Sequence, residues 1–93
     1  MKITFSGKNI HLSDNFKEIV ANKFDNPKVE SAGVQEIDLH VTKDHSHELT
    51  LQVTIPHKKS FVIHEENKNL HEAVDNLFHK TVRQFDKIKD SHH

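Results

Sequence analysis

Apolar and polar positions alternate from the first residues of the chain. In KITFS, Ile3 and Phe5 share one side, and Gly7 then permits a turn before Ile10 and Leu12. This period of two predicts a first strand. The period changes after Ser13, where Phe16, Ile19, Val20 and Phe24 follow at helical spacing and the Ser13 hydroxyl can accept from an early backbone N–H. Pro27 lacks a backbone N–H and disfavours helical geometry in Asn26, so this helix should stop or kink near Asp25. Alternation returns after the loop KVESAG. From Gln35 to Lys43, Ile37, Leu39 and Val41 face one way while Asp38, His40 and Thr42 face the other, which predicts a half-buried strand. DHSHE forms a polar turn, and Leu49, Leu51, Val53 and Ile55 alternate in a third strand limited by Pro56. HKKS turns the chain into a shorter fourth strand, Phe61 to Ile63.

Asn69 followed by Glu72 matches a capping box, in which each side chain satisfies an orphan N–H. Leu70, Ala73, Val74, Leu77, Phe78, Val82, Phe85 and Ile88 then hold helical spacing, and KIKDSHH is expected to fray. The order β-α-β-β-β-α predicts an α+β fold: a four-stranded, mostly antiparallel sheet with two helices packed on one face. With no composition shift, residues 1–93 read as a single domain with a modest core. Phe16, Phe24, Phe78 and Phe85 lie on apolar helix faces, so they read as core rather than as platforms for stacked bases.

Charge changes the picture more than hydropathy does. Thirteen Lys and Arg against fourteen Asp and Glu exclude strong global attraction to a polyanion, so any such binding must come from local placement. On the last helix Lys80, Arg83 and Lys87 fall within about 60° of one another at about 100° per residue. Glu72, Asp75, Asp86 and Asp90 collect on the neighbouring flank. Two readings remain open from these residues. One is a solvated face in which Arg83 pairs with Asp86 or Asp90. The other is a line of cations about one turn apart that tracks a nucleic-acid backbone, with Arg able to grip phosphate bidentately.

Other chemistries find little purchase. There is no cysteine, so neither a disulfide nor a thiolate site braces the fold, and two glycines cannot form a Gly-rich phosphate loop. No nucleophile stands in a motif that sequence can justify, and an enzyme is not expected. No run approaches the roughly 20 apolar residues that cross a bilayer, and the start lacks a signal-like apolar stretch, so a cytoplasmic protein is expected. Ten histidines raise metal binding, with Asp44, His45, His47 and Glu48 close together, but a polar turn accounts for them and no metal or other cofactor is expected.

The segments ITFSGKNIHLSDNFKEIV, VANKF, IDLHVTK and above all NLHEAVDNLFHKTVRQFDKIK carry a family likeness. The chain resembles the short ribosome hibernation factors, the hibernation-promoting factor and ribosome-associated inhibitor family, along nearly its whole length. The last helix of that family typically has an acidic or amide cap, a small-apolar-Asp run, a Lys, an Arg-Gln pair and further Lys residues. Asn69, Ala73, Val74, Asp75, Lys80, Arg83, Gln84, Lys87 and Lys89 occupy matching places. The resemblance implies the fold deduced above and binding to the small ribosomal subunit in the channel used by messenger and transfer RNA, which silences idle ribosomes. Carried over residue by residue, the ribosomal RNA contacts are Lys80, Arg83, Lys87 and Lys89, with Lys23 on the first helix and Lys43 and His40 on the second strand.

Departures from the family pattern are local. Asp25, Asn26 and Pro27 stand where relatives continue the first helix with a basic, leucine-rich turn, so this patch is poorer here. His40 replaces a commonly basic residue and His71 a frequent Tyr. Histidine gains charge as pH falls from about 8 to 6, so binding through His40 should tighten over that range. The end at His93 implies the type without the longer tail or the added dimerisation domain, the type that favours paired, silent ribosomes and works with a possible helper factor. The alternatives are a double-stranded RNA-binding module acting away from the ribosome and a His-rich metal-responsive interaction protein.

Overall fold

The computed structural model describes residues 1–58 and 60–90, apart from the side chains of Lys89 and Asp90. The elements run β1 (Lys2–Lys8), α1 (Asp14–Phe24), α2 (Pro27–Ser31), β2 (Glu36–Lys43), β3 (His47–Thr54), β4 (Phe61–Asn67) and α3 (Leu70–Asp90). The strands lie in sequence order in one sheet. β1 pairs parallel with β2, while β2–β3 and β3–β4 are antiparallel. The parallel pair follows from the helical connection between its strands: a chain that crosses the sheet face returns in the direction from which it left.

Strand register sorts the side chains into two faces. Ile3, Ile37, Val53 and Phe61 form one transverse row, Phe5, Leu39, Leu51 and Ile63 the next, and Gly7, Val41, Leu49 and Glu65 a third. The β2 and β3 members of these rows are almost wholly buried beneath Phe16, Val20 and Phe24 of α1, Val29 of α2, and Ala73, Val74, Leu77 and Phe85 of α3. Edge-to-face ring pairs tie the layers, Phe5 with Phe16 at 6.5 Å and Phe61 with Phe85 at 5.8 Å. Each fully buried aliphatic side chain contributes about 1.5–3 kcal/mol, against about 0–1 kcal/mol for an exposed ion pair, so this cluster and not surface charge holds the fold.

Several boundaries differ from the sequence expectation, each for a physical reason. KVESAG is partly helical rather than a loop: Asn26 caps α2 by accepting from the Lys28 N–H at 2.9 Å, and Pro27 supplies the preset first position. Gly33, at φ +77°, ends that turn. Gly7 lies within β1 because Ile10 and Leu12 fold back over it. β3 starts at His47, and β4 continues to Asn67 instead of ending at Ile63.

On α3 the buried stripe includes Thr81, fully buried with its hydroxyl donating to the Leu77 carbonyl at 2.8 Å. Phe78 and Val82 are only half-buried. The capping box is half formed. Asn69 Oδ1 accepts from the Glu72 N–H at 3.0 Å, but the Asn69 N–H donates to Asn67 Oδ1 at 2.8 Å rather than to Glu72. The expected fraying of KIKDSHH does not begin at Lys87, since α3 runs through Asp90; residues 91–93 lie outside the described residues, as does Lys59 of the HKKS turn. Among the described residues no helix is long and apolar enough to cross a membrane.

Candidate nucleic-acid interface

α3 packs on β3 and β4 and touches α1 and α2, which gives it two flanks and an outward crest. On the flank over β4, Lys80 is held in place. Its Nζ donates to Glu65 Oε1 at 2.5 Å and to the His64 carbonyl at 2.9 Å. Asn76 Nδ2 donates to the other Glu65 oxygen at 2.9 Å. The Glu65 side chain is 11% exposed while that of Lys80 is 47% exposed, so the carboxylate is the buried member of the pair. The Lys80 hydrogen bond holds the Glu65 carboxyl below its ordinary range, outweighing burial, which acts the other way.

The flank facing α1 holds a second pair. Lys23 Nζ lies 2.5 Å from Asp75 Oδ1 and 5.7 Å from the centre of the Phe78 ring. Phe78 in turn packs edge-on against Phe24 at 5.2 Å. Hydrogen bonding from Lys23 lowers the Asp75 carboxyl from its ordinary value. Lys23 and Lys80 therefore stand on opposite flanks of α3, each with a carboxylate across it.

Arg83 lies toward the crest, and Lys87, two turns on from Lys80, lies within about 20° of that lysine around the helix. Both are exposed, about one helical turn apart. Among the described residues neither has an ion-pair partner, Asp86 included. Lys89 belongs to the last turn of α3, but its side chain lies outside the described residues, as does that of Asp90.

The second-strand residues divide between faces. Lys43 ends β2 on the helix-covered side, half-buried and opposite His47 of β3. His40 points to the open face. Its Nδ1 is 2.6 Å from Ser6 Oγ and its Nε2 is 3.3 Å from Thr42 Oγ1. Register sets it in a row that runs Ser6, His40, Thr50, His64 across all four strands. His45 and His47 do not build a metal centre: among the described residues no group of three His, Asp or Glu side chains is placed to hold an ion.

Sequence reasoning gave Glu65 and Asn76 no role. Period-two spacing from Phe61 and Ile63 already sets residue 65 on the apolar side, and a charged residue there needs a partner, but ending the strand at Ile63 concealed it.

A four-stranded mixed sheet covered on one face by helices, with Arg83 and Lys87 exposed on the last helix, defines an α+β protein. Residues 3–93 match the family described as sigma 54 modulation protein / S30EA ribosomal protein, and the chain belongs to that family, whose members bind ribosomes and regulate translation. Two solved structures have a similar fold. A ribosomal subunit interface protein from Coxiella burnetii superimposes with a TM-score of 0.87 at 20% identity, covering 97% of this chain and 99% of that one. The N-terminal domain of Protein Y from Thermus thermophilus gives 0.82 at 19% identity, covering 94% and 98%. Among curated proteins no sequence matches.

Proposed function

We propose that this protein is a cytoplasmic ribosome hibernation factor that occupies the messenger and transfer RNA channel of the small ribosomal subunit and favours silent, paired ribosomes. The observation that carries the reading is membership, over residues 3–93, of a ribosomal protein family. Arg83 and Lys87, exposed and without an ion-pair partner among the described residues, support it, because cations on a rigid helix engage phosphates without prior ordering. Lys89, in the last turn of α3, is a further proposed contact carried by the family likeness. Lys23, Lys80 and Lys43 belong to the same layer as secondary contacts, and His40 is a contact from the open face. Inhibition through occupancy needs no catalytic group; a helper that steadies ribosome pairs is a further proposed partner.

The test is gradient sedimentation of lysate from starved cells. Wild type should travel with small subunits or ribosome pairs. Arg83→Glu combined with Lys87→Glu should lose that association at least about tenfold and lower the salt slope by about two. Unchanged binding by the double variant would move the contact surface away from α3. Absence of the wild type from all ribosomal fractions would favour an RNA partner elsewhere.

A further inference from the structure

Glu65 occupies an unusual place for a carboxylate. Its transverse neighbours on the helix-covered face are Gly7, Val41 and Leu49, and Val41 and Leu49 are 0% and 1% exposed. An apolar side chain at this position would lengthen the core row, and replacing an ion pair whose carboxylate is buried by packed apolar groups is often neutral or stabilising. Stability alone therefore does not call for a carboxylate here. Its evident effect is on Lys80, two of whose three ammonium protons it and the His64 carbonyl take up.

We propose that Glu65 competes with phosphate for Lys80 and so sets how tightly the α3 surface holds ribosomal RNA. The inference rests on the reading that this surface meets rRNA phosphates. A phosphate that recruits Lys80 must leave Glu65, 11% exposed, with Asn76 as its remaining side-chain donor, and it must approach an uncompensated negative charge. Lys87, about two turns further on, carries no such partner among the described residues. The two lysines thus differ in availability although their spacing on the helix makes them look equivalent. Removing the Glu65 charge should release Lys80 and create a gain of binding, which generic damage to the fold does not produce.

Binding to purified small ribosomal subunits, titrated with salt, tests this in wild type, E65Q, K80Q, E65Q/K80Q, E66Q and R83E/K87E. E65Q should bind about fivefold tighter near 0.1 M salt, with a salt slope steeper by about one, as expected for an added phosphate contact. The gain should vanish in E65Q/K80Q. It should also be absent in E66Q, which removes the same charge from an exposed residue on the opposite face. Wild-type or weaker binding by E65Q, an equal gain in the K80Q background, or an equal gain in E66Q would each overturn the proposal. If R83E/K87E binds like wild type, the α3 reading itself falls; if that variant weakens and E65Q does not tighten, only the Glu65 competition falls. A thermal melt confirms folding of E65Q, with E65M as the replacement should the amide variant not fold.

Discussion

Gly7 shows how one position can be fixed by a neighbour remote from its own strand pattern. A Cβ there would stand 2.8 Å from the Ile10 carbonyl oxygen and 3.3 Å from Leu12 Cγ, so the returning loop would have to move. Gly7→Ala should cost about 1–3 kcal/mol, read from urea unfolding, because backbone rather than a flexible side-chain end must give way. Glu65 makes a second prediction at this scale. Its folded carboxyl titrates below its unfolded value because of Lys80, so the pair contributes stability that is present above about pH 4 and lost as pH falls through the depressed folded value. Asp75, lowered by Lys23, acts with the same sign. Lys80→Gln should therefore flatten the decline of the urea midpoint with acidification below about pH 4; an unaltered decline would show that Lys80 does not bias Glu65.

Among the elements, α3 carries both the largest contribution to the helix layer and the exposed Arg83 and Lys87, so its start matters to the proposed interface. Its cap rests on Asn69 Oδ1 and not on the Glu72 side chain. Asn69→Ala should cost about 1 kcal/mol while Glu72→Ala should cost only a few tenths, measured by the same unfolding assay. Equal losses would mean that the reciprocal Glu72 bond forms in solution. Spacing alone located α3, α1 and all four strands, because one buried face imposes a period that survives in the residue order. It did not locate α2, whose five residues are too few to show a period and depend on the Asn26 cap and Pro27. Nor did it include Thr81 in the stripe, since a buried hydroxyl is intelligible only once the Leu77 carbonyl is seen to accept from it.

Across the whole molecule, one sheet separates two chemically different surfaces. Arg83 and Lys87 lie on the helix side, whereas His40 joins Ser6, Thr50 and His64 on the open side. The Cα framework measures 42 × 22 × 18 Å, thin enough that a channel enclosing it would touch both surfaces. Binding that uses both should weaken in His40→Glu, measured on intact small subunits. Wild-type binding by that variant would assign the contact to the helix side alone.

The order of residues by itself determined the α+β architecture, the strand and helix sides and the position of the basic line, because each follows from a local repeat of two or 3.6 residues. Only the tertiary structure decided which of those cations are available. Lys80 meets Glu65 across the α3–β4 packing and Lys23 meets Asp75 across the α1–α3 packing, while Arg83 and Lys87 face outward. Charge pairing depends on distances of a few ångströms between elements far apart in the chain, and Coulomb attraction and desolvation both change steeply over that range, so a helical wheel that treats one helix in isolation contains no information about it.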